Sequence, residues 1–225
     1  MRPRPSLRSA IAAGALSLIA PTGATAAVPA VTHADTQGAA PNASIAHAGV
    51  TKRRLSVRTG QRVAVAGAAE PGVAGLIASL EIRRRSHWST IDRTRTTAGG
   101  GYVLHRRMRR PMSVPARVVI RSATGQVYKR IGRVNAFRWA QASWYGPGLY
   151  GNHLGCGGRL TYSRLGVANK TLPCGTKVTL RHGRRTVRVR VIDRGPYVAG
   201  REFDLTQATA RRLGFRGHGA ILTTR

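Results

Sequence analysis

Short segments that alternate apolar with polar residues, separated by Gly, Pro, Ser and Thr, most limit what this chain can fold into. Seven of them occur within residues 50–139: 55–58, 62–66, 76–83, 89–94, 102–105, 116–121 and 127–134. A period of two places successive side chains on opposite faces of a strand. Seven short strands at this spacing are typical of two packed sheets. We therefore predict a small β-sandwich over residues 50–139.

The remaining C-terminal segment, residues 140–225, also predicts mainly strands. Residues 176–181 (TKVTLR) and 186–192 (TVRVRVI) alternate with period two, and 182–185 (HGRR) between them predicts the turn of a hairpin. Residues 205–213 have a helical pattern that Gly214 would end. The chain contains 27 Gly and 11 Pro, and its hydrophobic fraction of 42% is enough to form a core. The expected fold class is all-β.

The N-terminus predicts export. Three arginines among the first eight residues precede the apolar run 10–20, Pro21 breaks that run, and 24–26 (ATA) supplies a cleavage signal. This order predicts a signal peptide over residues 1–26, with an uncleaved anchor as the alternative. No later run reaches the ~18 apolar residues of a membrane span, so we expect no transmembrane segment after cleavage. Residues 27–49 are small and polar and predict a flexible linker. We expect a secreted or cell-wall location.

The charge of the chain predicts an anionic partner. Lys and Arg number 38 against 7 Asp and Glu, for a net charge of +31. Nucleic acid, acidic lipid and anionic wall polymers all fit this charge, but export leaves us expecting no nucleic-acid partner. The arginine runs at 83–85 and 106–110 are either solvated faces or a surface for anionic wall polymers.

Three acids, all between residues 193 and 204, are the acidic residues of the last 86 positions. Asp193 follows a predicted strand, where a rigid support can hold a reactive side chain. The alternative is a turn Asp that accepts backbone N–H bonds or pairs with Arg194. Asp204 precedes the predicted helix, with Gln207 three residues on, so it is either a helix N-cap or a catalytic acid.

Cys156 and Cys174 are the two cysteines of the chain. In an exported domain the economical interpretation is a disulfide between them. A catalytic thiol or a zinc site with His153 and His182 are the alternatives. We expect no metal and no cofactor.

Four aromatic residues near the Gly-rich segment 146–158 could offer flat faces to sugar rings. They are Trp144, Tyr145, Tyr150 and Tyr197. Packing in the core or at a rim is the alternative for each of them.

Four segments together resemble the rare lipoprotein A family of peptidoglycan-active, double-psi β-barrel proteins. They are 142–146 (ASWYG), 168–173 (ANKTLP), 191–197 (VIDRGPY) and 203–206 (FDLT), in family order. The resemblance implies a six-stranded double-psi β-barrel over residues 140–225. In addition, residues 88–104 (WSTIDRTRTTAGGGYVL) resemble small immunoglobulin-like modules, which implies an immunoglobulin-like sandwich before the barrel.

The family resemblance implies a lytic transglycosylase that cleaves the MurNAc–GlcNAc bond of peptidoglycan glycan strands. Asp193 matches a catalytic candidate of the family, and Asp204 matches an Asp of expansins and related barrel enzymes. A single carboxyl can act as acid and then as base, whereas an ordinary glycosidase uses two; Asp193 is the favoured acid/base and Asp204 its alternative or partner. The expected substrate-binding residues are Asn169, Trp144, Tyr145, Tyr197 and Arg194.

Two positions depart from the family pattern. Many members have His where this chain has Asn169, and many have an upstream Glu where residues 156–159 (CGGR) stand here. The alternative function is therefore a non-catalytic, expansin-like protein that binds glycan in the wall.

Overall fold

The computed structural model describes Asn42 and residues 44–225. The predicted signal peptide, and the predicted linker up to residue 41, lie outside the described residues. Thirteen strands and one helix are present in the described part of the chain. No helix there is long and apolar enough to cross a membrane.

The first seven strands, with part of the eighth, form two packed sheets. The strands are β1 (His47–Arg54), β2 (Ser56–Arg58), β3 (Arg62–Glu70), β4 (Ile77–Arg84), β5 (His87–Arg95), β6 (Gly101–Arg107), β7 (Met112–Arg121) and β8 (Gln126–Tyr145). One sheet has the order β1-β3-β6, and the other contains β5-β4-β7-β8, with β2 beside β8. Apolar side chains of both sheets share one core, among them Val63, Leu80 and Val118. This is the predicted sandwich.

Each of the seven predicted sandwich segments overlaps a strand, but β1 has no counterpart among them. It begins at His47, within residues predicted to be linker, so the linker boundary at residue 49 is wrong. The alternation around Ala48 and Val50 is too short to predict a strand by itself. β1 forms because it pairs along its length with β3 and buries Ala48, which is 2% exposed.

The C-terminal part closes six strands into a ring. After β8 come β9 (Val167–Ala168), β10 (Lys177–His182), β11 (Arg185–Asp193), β12 (Phe203–Thr206) and β13 (Gly219–Thr223). The order is β8-β13-β10-β11-β9-β12, and β12 pairs with β8 again. Two of the pairings, β8 with β12 and β9 with β11, are parallel. Valine, leucine and phenylalanine side chains fill the ring. The predicted all-β fold with six strands in the C-terminal part is confirmed.

Strand β8 belongs to both parts of the fold. It pairs with β7 as far as Ala136, and from Arg138 onwards it pairs with β13. Phe137, at the crossing point, is 1% exposed. The predicted domain boundary between residues 139 and 140 therefore falls within a continuous strand.

Of the three local predictions in the ring, two are correct and one is wrong. The hairpin of β10 and β11 forms as predicted, with Leu180 opposite Val187. The helix, α1 (Gln207–Leu213), ends at Gly214 in the left-handed conformation, also as predicted. The predicted N-cap is wrong: Thr206 caps α1, because the chain at Asp204 is still strand β12, paired on both sides.

Candidate active site

A cavity of about 260 Å³ opens where the strand ends of the ring meet the segment after β11. Tyr145 of β8, Asp193 of β11 and Asp204 of β12 line it. Arg194 and Tyr197 of the following segment also line it. Because β12, β9 and β11 are neighbours in the ring, two acids eleven positions apart in the chain share this cavity. The structure thus brings together five of the seven residues predicted to be catalytic or substrate-binding.

Asp193 is held by backbone N–H groups. Its Oδ1 accepts hydrogen bonds from the backbone nitrogen of Gly155 at 2.7 Å and from that of Arg194 at 2.8 Å. The alternative interpretation of Asp193 as a turn Asp is therefore partly correct. Asp193 accepts the backbone N–H bonds, but Arg194 forms no ion pair with it. The carboxyl group is thus oriented through one oxygen while it lines the cavity.

Gly155 suits this close contact because a side chain here would crowd its neighbours. A Cβ at this position would lie 2.8 Å from Cγ of Arg194 and 3.1 Å from Oδ1 of Asp193. Gly155 belongs to the Gly-rich segment 146–158, which the sequence marks as loop without indicating this role.

Asp204 has different surroundings from Asp193. Its Oδ1 is buried and has no hydrogen-bond partner among the described residues. Burial raises the pKa of Asp204 above its usual range, and the negative charge of Asp193 acts in the same direction. The nearby Ser143 hydroxyl and the Arg201 guanidinium oppose this shift. The carboxyl group of Asp204 therefore keeps its proton to higher pH than an ordinary Asp.

Two buried hydroxyl groups accompany this carboxyl. The hydroxyls of Ser143 and Tyr145 are buried beside the carboxyls of Asp204 and Asp193, respectively, and neither makes a hydrogen bond of regular geometry within the described part of the chain. Burial, followed by the charges of Asp193 and Asp204, raises the pKa of Tyr145 above that of an ordinary phenol. A buried polar group without a partner costs about 1–3 kcal/mol. Tyr145 lines the cavity, where its hydroxyl is suited to bind a polar group of a ligand, whereas Ser143 lies behind Asp204 and lines neither cavity. Sequence reasoning missed Ser143, although it lies in segment 142–146 and opposite Asp204 in the ladder.

Asn169 and Arg194 support a loop. The Asn169 side chain accepts hydrogen bonds from the backbone of Thr171 and Leu172 and donates one to the backbone of Glu202. The Arg194 guanidinium donates to the carbonyls of Asn169 and Leu172 and to Sγ of Cys174. Asn169 does not line the cavity, and its amide oxygen and nitrogen are both used within the protein. Its predicted contact with substrate stays a prediction.

The two cysteines form the predicted disulfide. Cys156 and Cys174 are joined at 1.98 Å, with their Cα atoms 5.5 Å apart. The bond ties the segment that carries Gly155 to the loop that Arg194 holds. The alternatives of a free thiol or a zinc ligand are thereby excluded for these cysteines. Among the described residues, no group of three or more His, Cys, Asp or Glu side chains could hold a metal ion.

The aromatic residues divide between the core and the rim. Trp144 packs partly buried against the core of the ring and does not line the cavity. Tyr197 lies at the rim with 81% of its surface exposed. Tyr150 packs edge to face against Tyr162, their ring centroids 6.0 Å apart. Tyr162 was not among the predicted residues.

A second cavity of about 200 Å³ adjoins the first. Tyr145, Leu149 and Asp193 line both, and His153 lines the second. The two cavities meet at Asp193. The candidate site is therefore an extended depression with Asp193 along its length and exposed aromatic side chains nearby.

Comparisons with known proteins agree with this architecture. The family model described as lytic transglycolase matches residues 139–223. A protein of Synechocystis sp. named probable endolytic peptidoglycan transglycosylase RlpA is 40% identical over 102 residues, which cover 40% of this chain and 32% of that protein. A protein of Aquifex aeolicus with the same name is 41% identical over 83 residues, or 36% of each chain.

A third relative, the endolytic peptidoglycan transglycosylase RlpA of Campylobacter jejuni, is 42% identical over 80 residues, which cover 35% of this chain and 29% of that protein. The chain thus spans about a third of the length of these curated relatives. The similarity covers the part of the chain in which the closed ring and the cavity with Asp193 and Asp204 lie. Residues 139–223 therefore match the lytic transglycolase family model and are similar to the RlpA proteins, as the resemblance in the sequence predicts.

Proposed function

We propose that the ring domain is a lytic transglycosylase that cleaves the MurNAc–GlcNAc bond of peptidoglycan glycan strands and leaves 1,6-anhydro-MurNAc ends. The names and similarity of the relatives support the substrate class. One observation carries the chemistry: a half-buried carboxyl with a raised pKa, Asp204, lines the same cavity as the backbone-held carboxyl of Asp193. We further propose that the protein is exported and acts in cell wall remodelling and septation.

The two carboxyl groups suit the two proton transfers of this reaction. Asp204 donates its proton to the leaving O4 of GlcNAc while the bond from this oxygen to C1 of MurNAc breaks. The C6 hydroxyl of the same MurNAc then attacks C1, and Asp193 accepts its proton as the new C1–O6 bond closes. No water is consumed. Proton exchange through solvent in the open cavity restores both carboxyl groups. This division differs from a single acid/base at Asp193, and the variants below separate the two schemes.

One buried hydroxyl gives the sugar a polar contact close to the acid. Tyr145 lines the cavity together with Asp193 and Asp204, and its hydroxyl makes no hydrogen bond of regular geometry within the described residues. A hydroxyl group of a bound sugar would satisfy it, and that bond would help to fix the glycosidic oxygen near the proton donor. Tyr197 at the rim presents a flat face on which a sugar ring can stack.

A second candidate function is a non-catalytic protein that binds glycan as expansins do. The observation that favours it is Asn169, which stands where many family members have His and whose amide is bonded to backbone groups. In this function the cavity would hold a glycan strand without breaking it.

Peptide-free glycan strands separate these functions. Purified protein is incubated with the strands, and products are analysed by mass spectrometry for 1,6-anhydro-MurNAc ends. Asp204→Asn and Asp193→Asn should each abolish product, whereas Glu70→Gln, a change at an exposed sandwich carboxyl, should not. Activity that persists in Asp204→Asn but not in Asp193→Asn would support the single acid/base. Strand binding without product from the unaltered protein would establish the second function.

We also propose that the basic sandwich attracts anionic wall polymers. The charge of +31 supports this part of the function.

A further inference from the structure

We propose that the sandwich carries a separate polyanion site, the arginine pocket, that binds a polymer of aliphatic polyols joined by phosphodiester groups. The arginine pocket consists of two cavities that share Arg106, Arg107 and Arg109. The first, of about 260 Å³, adds Arg84 and Arg110, and the second, of about 300 Å³, adds Arg62. This inference rests on the proposed attraction to wall polymers and not on glycan cleavage.

The fold gathers these arginines from distant parts of the chain. Arg84 ends β4 in one sheet, whereas Arg106 and Arg107 end β6 in the other. Arg109 and Arg110 lie in the connection from β6 to β7. The guanidinium groups therefore meet at one end of the sandwich. Neighbouring residues of the same sequence run, Arg83 and Arg85, do not line the pocket.

The positive charge of the arginine pocket is largely uncompensated within the described residues. The ion pairs found there join Glu81 to Arg117 and Arg121, and Glu202 to Arg138. None of these arginines lines the pocket. One carboxyl, Asp92, lines the second cavity, and its Oδ2 already accepts a hydrogen bond from the backbone of His105 at 2.7 Å. Six guanidinium groups close together repel one another, so a bound polyanion would remove an unfavourable interaction.

One arginine of the pocket is oriented in advance. Nε of Arg107 donates to the carbonyl of Gly60 at 2.7 Å. This bond leaves both terminal nitrogens of Arg107 for a ligand. A planar guanidinium binds two oxygens of one phosphate at once, which a lysine ammonium cannot do. The pocket is lined by arginines and no lysines, which favours phosphate.

The apolar lining of the arginine pocket favours a polyol phosphate over a single-stranded nucleic acid. Ile82, Ile91, Met108 and Met112 line the first cavity, and no Phe, Tyr or Trp lines either cavity; the imidazole of His105 in the second cavity is the single ring. Proteins that bind single-stranded nucleic acid stack the bases on aromatic rings. Aliphatic side chains instead fit the carbon backbone of a polyol. Two adjoining cavities with shared arginines also suit consecutive phosphates of one chain.

Direct binding of a defined probe tests this inference. Fluorescently labelled poly(glycerol phosphate) is titrated with the full chain, and anisotropy is recorded at several salt concentrations. The pocket variant Arg84→Gln/Arg106→Gln/Arg109→Gln is compared with the control Arg54→Gln/Arg130→Gln/Arg184→Gln, which changes exposed arginines outside the pocket and loses the same charge. We expect the pocket variant to bind roughly tenfold or more weakly with a smaller salt slope, and the control to change less than about threefold.

A charge-preserving variant tests the site independently, in case the pocket variant does not fold. Arg84→Lys/Arg106→Lys/Arg109→Lys keeps the net charge and removes the planar groups, so it too should bind more weakly than the unaltered protein. Equal losses in the pocket variant and the control, or full affinity in the lysine variant, would overturn the site.

Two further probes test the identity of the ligand. A single-stranded oligonucleotide, or a polycarboxylate of equal charge, that binds as tightly with the same dependence on the pocket arginines would overturn the assignment to polyol phosphates. Asp204→Asn should bind the probe like the unaltered protein. A failure of glycan cleavage is thereby distinguishable from a failure of the arginine pocket.

Discussion

At the scale of single residues, the surroundings of Asp193 and Asp204 divide their roles. Asp193 is held by two backbone N–H groups, whereas Asp204 has a buried oxygen without a partner. The sequence indicated backbone N–H bonds to Asp193 only as an alternative, and it did not indicate the surroundings of Asp204, because they depend on strands that are not neighbours in the chain. The sequence supported equally a helix cap and a catalytic acid at Asp204. The position of Thr206 at the start of α1 removes the first possibility.

The raised pKa of Asp204 sets the pH dependence of the proposed reaction. An acid must be protonated to act, so kcat/KM should fall as pH rises through the pKa of Asp204. Release of anhydro ends is measured from pH 4 to pH 9. Because Arg201 lowers this pKa, Arg201→Gln should move the alkaline decline to higher pH, whereas Arg184→Gln in the β10–β11 turn should not. An alkaline decline that Arg201→Gln leaves in place would contradict the assignment of the acid.

The carboxyl group of Asp204 also makes the stability of the fold depend on pH. Its folded-state pKa is raised, so the folded protein binds this proton more tightly than the unfolded chain does. Its contribution to stability is therefore greatest below the unfolded pKa and is lost as pH rises through the folded pKa. Asn does not ionise, so Asp204→Asn should gain in Tm relative to the unaltered protein between pH 4 and pH 8. A gain of about 2–4 °C would correspond to ~1 kcal/mol. A relative Tm that is constant or falls over this range would contradict the burial effect.

Gly155 offers a test of how far orientation of Asp193 matters. Gly155→Ala would place Cβ against Oδ1 of Asp193 and Cγ of Arg194 and displace the carboxyl group. We expect activity to fall roughly 10–100-fold, because small displacements in an active site are costly. Gly125→Ala is the matched control, since a Cβ there meets nothing within 4 Å. Both variants should remain folded by circular dichroism, and equal activities in the two would show that the Gly155 contact is dispensable.

At the scale of elements, local patterns were predictable and ring closure was not. The β10–β11 hairpin and the end of α1 follow from neighbouring residues, so the alternating segments and Gly214 were sufficient to predict them. β1 depends on its partner β3, and the sequence of β1 alone did not indicate it. The candidate site also combines features that the sequence indicated with features that depend on ring closure. The family motifs selected Asp193 and Asp204, but the bond from Asn169 to the carbonyl of Glu202 and the buried hydroxyl of Ser143 beside Asp204 depend on the assembled ring.

The disulfide should matter for both stability and activity. It closes an 18-residue separation, which contributes about 3 kcal/mol in the chain-entropy interpretation. Because Cys156 follows Gly155, its loss should also loosen the segment that orients Asp193. Cys156→Ser/Cys174→Ser should therefore unfold at lower denaturant and cleave glycan more slowly even where it is fully folded. Unchanged activity under those conditions would limit the bond to a stabilising role.

At the scale of the whole molecule, β8 joins the sandwich and the ring. Thr179 of the ring also donates a hydrogen bond to Ser113 of the sandwich at 3.1 Å. Phe137 is buried at the crossing, between Ala136 of the sandwich core and Ala140 of the ring core. The two parts therefore share a continuous strand and a side-chain hydrogen bond. The sequence placed a boundary at 139–140 because the motifs change there, although the strand continues.

Phe137→Ala should report this coupling. Removing a buried phenylalanine costs about 3–5 kcal/mol. If the two parts unfold together, the signals of Trp88 in the sandwich and Trp144 in the ring should shift to lower denaturant by the same amount. Single-tryptophan variants separate the two signals. A shift in one signal alone would show that the two parts unfold independently.

The continuity of β8 has a mechanical consequence. If the sandwich is anchored to a wall polymer while the ring holds a glycan strand, any pull between them runs along this strand. The ladder bonds to β7 and β13 lie across the strand, so they would share the load in shear instead of opening one after another. An attachment of this kind would bear tension without an intervening hinge. Stretching of the wall would then transmit force along β8 to the cavity, where β8 ends.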